Sequence, residues 1–121
     1  MGTSDFEATV RHQQGVAVID LRGEVDAFAE EALNAAYVEA VSGDAATLLL
    51  NFDGAEYINS TGIALIVALL AQARKSHRRL LACGLSDHYR EVFQITRLAD
   101  FISIFRDEAS AIADAPAAAD R

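Results

Sequence analysis

The stretch Tyr57-Ile58-Asn59-Ser60-Thr61-Gly62 sets two hydroxyl side chains directly ahead of a strongly apolar run at positions 63–71. A hydroxyl at the start of a helix can cap a free backbone N–H. It also lies beside the positive end of the helix dipole, a favourable place for a phosphate. Other chemistries are poorly supported. The Gly-x-Ser-x-Gly pattern of a nucleophile elbow is absent, and no glycine-rich phosphate loop occurs. His12, His77 and His88 have no metal-ligand spacing and read as surface residues. Cys83, the only cysteine, excludes an intrachain disulfide and a cysteine-based metal cluster, and reads as a small buried hydrophobe. No catalytic residue, metal or cofactor is expected, so the chain reads as a binding module and not an enzyme.

The elements that must position Ser60 follow from periodicity. Residues 6–12 alternate as a half-exposed edge strand, Gln13-Gln14-Gly15 turns the chain, and 16–22 form a hairpin partner. Gly23-Glu24-Val25-Asp26 ends that strand. Over 28–41, Phe28, Ala32, Leu33, Ala36, Tyr37 and Ala40 fall at helical spacing, closed by Ser42-Gly43-Asp44. A strand over 47–52 carries Leu48-Leu49-Leu50, as one covered on both faces would, and Asp53-Gly54 gives a turn signal. The helix beginning at the Ser60 loop runs to about Ser76, with Arg74, Lys75, His77, Arg78 and Arg79 gathered at its negative end. A strand over 79–83, a short helix over 88–94 capped by Ser86 or Asp87, a strand over 101–105 and a helix over 107–112 complete the domain. Residues 1–5 read as frayed. The low-complexity Ala/Pro segment 113–121 reads as a disordered tail after a domain spanning 1–112. Alternating strands and helices imply an α/β fold: a mixed sheet of about five strands with about four helices.

Composition narrows the partners. The net charge of −8 disfavours nucleic acid and anionic membrane surfaces, while a basic protein surface is compatible with it. The basic cluster at 74–79 reads as a solvated helix end. The apolar run 63–71 is nine residues, against the ~20 needed to span a bilayer, and no signal-peptide pattern opens the chain. A cytoplasmic, non-inserted protein is expected, monomeric when free.

The element order, with Gly23-Glu24-Val25-Asp26 after the second strand and Asn59-Ser60-Thr61-Gly62 before the second helix, resembles the STAS domain. Within it the chain is most similar to bacterial anti-sigma factor antagonists, and 91–98 also resembles that pattern. The resemblance covers about 6–112. It implies phosphorylation of the first hydroxyl of the motif, here Ser60, by an anti-sigma factor that is a serine kinase. The unphosphorylated antagonist binds that kinase and frees the sigma factor; a PP2C-type phosphatase restores binding. Asn59 stands where the family usually has Asp. Asn keeps an acceptor oxygen but loses a charge, which weakens Ser60 as a substrate if the kinase reads that charge, or else lessens the repulsion a phosphate would meet.

On physical grounds the loop and the exposed face of the following helix form a docking surface. Ile63, Ile66, Val67 and Leu70 make one stripe and Ala64, Ala68 and Ala71 a flatter one, better suited to receive another protein's helix. A phosphate adds about −1.5 to −2 charge at the edge of that contact, switching the interface with little effect on the fold. The partner-binding set is Glu24, Asp26, Asn59, Ser60, Thr61, Gly62, Ile63, Ala64, Val67 and Ala68, with Glu24 and Asp26 equally readable as solvated loop acids. Thr61 is a helix-start residue. Two other readings stay open: an adaptor controlling a signalling enzyme, and an unphosphorylated subunit of a lipid-transport ABC complex.

Overall fold

The computed structural model describes residues 6–119. Its elements are β1 (Glu7–Gln13), β2 (Val16–Val25), a 3-10 turn (Ala27–Ala29), α1 (Glu30–Val41), β3 (Thr47–Ile58), α2 (Ser60–Lys75), β4 (Arg79–Cys83), α3 (Asp87–Ile95), a second 3-10 turn (Leu98–Asp100), β5 (Ser103–Phe105) and α4 (Glu108–Ala119). The expected mixed sheet of five strands with four helices is present.

The strands lie in sequence order, with β1 antiparallel to β2 and the rest parallel. The β1–β2 hairpin closes through Gln14 and Gly15, both at positive φ (52° and 84°), the geometry that matches strand twist in a two-residue turn. Each β-α-β crossover then steps one strand in the same direction. Right-handed crossovers that all step one way place their helices on one face, so α1, α2 and α3 share a side of the sheet. There Ile19, Leu21, Leu48, Leu50 and Phe52 meet Leu33, Ile66, Leu69 and Phe93. The opposite face is covered by α4, whose Ala111, Ile112 and Ala115 pack on Val16, Val18, Leu49 and Leu81. The strand period of two explains the division: Leu48 and Leu50 point to one layer and Leu49 to the other.

The first turn of α4 is tied to the sheet by polar contacts. The Arg11 guanidinium donates to Asp20 Oδ1 (2.9 Å) and to both Glu108 oxygens (3.0 and 2.6 Å), and Asn51 Nδ2 donates to Glu108 Oε1 (3.2 Å). Chiefly through the Arg11 bond, Glu108 is held below its usual carboxylate range. Burial pushes the Cys83 thiol up to about 12, so it stays protonated and inert.

Several boundaries differ from expectation. Asp53-Gly54 is no turn: β3 continues through it to Ile58. The glycine serves close approach inside the sheet, since a Cβ there would stand 2.8 Å from Arg22 Cγ and 3.0 Å from the Leu21 carbonyl, beside a register shift in β2–β3 pairing. Phe28 does not begin α1; it sits in the 3-10 turn and is 78% exposed. Phe101 lies before β5, which starts at Ser103. The last helix does not stop at Ile112, because α4 runs to Ala119; of the supposed tail only residues 120–121 lie outside the described residues, as do 1–5 at the other end.

Candidate functional site

β3 and α2 meet at a single residue, with no intervening loop. Asn59 has extended backbone (φ −94°, ψ −176°), and its Oδ1 accepts from Gly62 N at 2.8 Å, while its carbonyl accepts from Ile63 N at 2.9 Å. Asn59 is therefore the N-cap and Ser60 the first helical residue. The alternative that the Ser60 hydroxyl merely caps the helix does not hold, because an amide oxygen one atom further from Cβ, one position earlier, already fills that role. A carboxylate at 59 would make the same bond, so the Asn departure preserves the geometry and removes only charge. The Ser60 side chain has no hydrogen-bond partner among the described residues and is exposed, as is Thr61. The amides of Ser60 and Thr61, too early for intrahelical bonds, add to the positive end of the dipole.

Two neighbours fix this junction. Glu24 pairs in register with Tyr57 and Val25 with Ile58, and the Val25 carbonyl accepts from Asn59 N at 3.2 Å. On the far side, the Tyr89 hydroxyl of α3 accepts from Ile58 N at 3.0 Å. Helix α2 comes so close to the end of β2 that a Cβ on Gly62 would lie 2.0 Å from the Val25 oxygen. Only glycine fits there. Gly62, a member of the predicted partner-binding set, is buried, so it seats the helix and presents no side chain of its own.

The remaining predicted residues divide by exposure. Ala64, Val67 and Ala68 are exposed on the outer face of α2, continued by Ala71 at the same helical spacing. Val67, expected in the inner stripe with Ile63, Ile66 and Leu70, is 44% exposed and belongs to the outer one; Leu69 and Ala73 take the inner position. Ile63 is half-buried at the margin. Glu24 is exposed beside Tyr57, itself 51% exposed. Asp26 is half-buried, and its Oδ1 accepts from Phe28 N at 3.0 Å, so it shapes the 3-10 turn that packs against α2. Phe28 thus stands near the site, a placement hidden in the sequence by its apparent helical spacing; the Asp two residues ahead was the available signal of a local turn.

Part of the basic cluster at 74–79 is engaged locally. Arg78 donates to the Ala45 and Val41 carbonyls (3.1 and 3.4 Å), Arg79 to Asp114 (3.2 Å), and Arg74 lies over the Phe101 ring.

A parallel sheet entered by a hairpin, carrying three helices on one face and one on the other, with an exposed serine opening the second helix, defines a small α/β domain of one layered core. The STAS domain model matches residues 7–111, and the chain belongs to the STAS domain family. It is 31% identical over 100 residues to BtrV of Bordetella bronchiseptica, named for an anti-sigma factor antagonist role, covering 83% of this chain and 84% of that protein. An anti-sigma factor antagonist from Mycobacterium paratuberculosis shares the fold with a TM-score of 0.78 at 19% identity, over 90% of this chain and 92% of that one. SpoIIAA of Bacillus in its phosphorylated form superimposes with a TM-score of 0.67 at 25% identity, over 88% and 96% of the respective chains. No helix among the described residues is long and apolar enough to cross a membrane.

Proposed function

We propose that this chain is an anti-sigma factor antagonist: a non-enzymatic binding module that acts in the cytoplasm as a monomer and is switched by phosphorylation of Ser60. Unphosphorylated, it binds an anti-sigma factor with serine kinase activity and releases the sigma factor. The phosphate ends that binding, and a PP2C-type phosphatase restores it. The observation that carries this reading is the release of Ser60 from any capping duty by Asn59, on an exposed turn beside the apolar stripe Ala64, Val67, Ala68.

The physical logic is local. Within the free chain a phosphate at the first helical position meets unpaired amides and the dipole, so the fold tolerates it. At the edge of an apolar contact the same strongly hydrated group must be desolvated, and binding weakens. Glu24 and Asp26, on the neighbouring strand end, give this end an acidic rim for a basic partner surface. The names of the relatives support the antagonist role.

The test is capture from native extract with wild type, Ser60→Ala and Ser60→Asp as baits, read by mass spectrometry. Retention of a small serine kinase by the first two, and its loss with Ser60→Asp, is the expected result. Equal capture of partners by all three baits overturns the switch and marks a constitutive adaptor, as an ABC ATPase retained by every bait would.

A further inference from the structure

At the end of α2 away from Ser60 lies an open groove of about 690 Å³. Val67, Leu70, Ala71, Arg74 and Lys75 form one wall, and the connection between α3 and β5, ending in Phe101, forms the other. Phe101 is 54% exposed, a large apolar surface left open beside cations. The Arg74 guanidinium carbon stands 5.2 Å from the Phe101 ring centroid, reaching across the groove.

The two cations suit the negative end of the α2 dipole but are not needed to cap it. The last carbonyls of α2 already accept from backbone donors, Gln72 and Ala73 from Ser76 N, Arg74 from His77 N, and Ala73 also from Arg78 N. Nor are they neutralised. Arg11, Arg22, Arg79, Arg90 and Arg97 each have a carboxylate within 4.0 Å; Arg74 and Lys75, like Arg78 and Arg106 elsewhere, have none among the described residues, and of these four only Arg74 and Lys75 line the groove. On a chain of net charge −8, uncompensated positive charge has been placed on an apolar trough.

We propose that this groove docks an acidic amphipathic helical segment of a partner protein, and that it does so regardless of the state of Ser60. From Val67 to Lys75 the trough follows α2 for about 12 Å, or two turns. That shape takes one face of a helix, with apolar side chains against Val67, Leu70 and Phe101 and carboxylates at Arg74 and Lys75. A basic segment is repelled, and a bare anion gains nothing from the apolar floor. Arg74 is fourteen residues beyond Ser60, about 21 Å along the helix axis and more than two Debye lengths of about 8 Å at physiological salt. A phosphate at Ser60 is screened from the cationic end of the groove, which therefore holds constantly, while Val67 at the near end is shared with the stripe beside Ser60. A partner engaged at both ends stays tethered when the Ser60 contact breaks.

The test uses the full chain and a fluorescein-labelled synthetic 14-residue Leu/Glu amphipathic peptide, with its Leu/Lys twin as control. Anisotropy and amide NMR are read for wild type, Ser60→Asp and Arg74→Glu/Lys75→Glu. The expected result is equal binding of the acidic peptide to wild type and Ser60→Asp, with shifts at Val67, Ala71 and Phe101. Binding falls about tenfold or more for the double reversal, whose substitutions are both exposed. Arg74→Gln/Lys75→Gln, which removes both charges but keeps polar side chains, lies between and stands in if the reversal does not fold. No binding, equal binding by the twin or by the reversal, loss with Ser60→Asp, or shifts caused by decanoate but not by the peptide overturn the proposal. The readout needs neither kinase nor phosphorylation, so its failure is distinct from failure of the Ser60 switch.

Discussion

Gly62→Ala discriminates sharply because two effects of opposite sign meet at one position. In an ordinary exposed helix, replacing glycine by alanine stabilises by about 1 kcal/mol, through backbone entropy. At position 62 the new methyl would lie 2.0 Å from the Val25 oxygen, 2.8 Å from its carbonyl carbon and 3.1 Å from Ile58 Cγ2. The obstacle is strand backbone, held by β2–β3 pairing to within one residue of the site, so α2 and not β2 must give way. Moving its first turn outward by more than about 1 Å to restore van der Waals separation stretches the 2.8 Å Asn59–Gly62 cap and the 3.2 Å Asn59–Val25 bond. Overpacking costs about 1–3 kcal/mol and a lost cap about 1 kcal/mol. Against the propensity gain, the net expectation is a destabilisation of about 1–3 kcal/mol, seen as a Tm lowered by roughly 5–10 °C for a domain of this size. Urea titration followed by far-UV circular dichroism, with a thermal melt, measures it. A raised midpoint would refute the close-approach argument, because propensity alone would then have decided.

Two further predictions bear on the same end of the fold and on its opposite face. Ser60→Ala leaves the urea midpoint stability within about 0.5 kcal/mol of wild type, while Asn59→Ala loses about 1 kcal/mol, because the cap belongs to Asn59; the reverse order would return the capping role to Ser60. Glu108, held below the ordinary glutamate value of 4.5 chiefly by Arg11, contributes stability that is present above that value and lost as the pH falls through its lowered folded value. Denaturation midpoints taken at neutral pH and stepwise below 4.5 therefore fall less steeply for Glu108→Gln than for wild type. An unchanged acid slope would mean that the Arg11–Glu108 contact is not formed in solution.

Much of this protein was legible in the residues themselves. The Leu48-Leu49-Leu50 run specified a strand covered on both faces, because only such a strand needs no polar side. Gln13-Gln14-Gly15 specified a turn, which the structure narrows to Gln14 and Gly15, and the apolar run after Gly62 specified a long helix opening on Ser60 and Thr61. These are local demands, met within a few residues of chain. What the sequence could not display were contacts made across it. Asp53-Gly54 has the composition of a turn, yet the glycine answers to Arg22 and the Leu21 carbonyl on the neighbouring strand. Phe28 and Val67 fit apolar spacings but face outwards, since which stripe is inner depends on where the sheet lies. The cap passed to Asn59 because β3 runs on to Ile58 and leaves one residue for the corner. Gly62 is fixed by the Val25 oxygen, and the groove by Arg74 meeting Phe101, twenty-seven residues later. Periodicity and turn chemistry set the elements; the close approach of backbones distant in sequence decided which side chains were left for a partner.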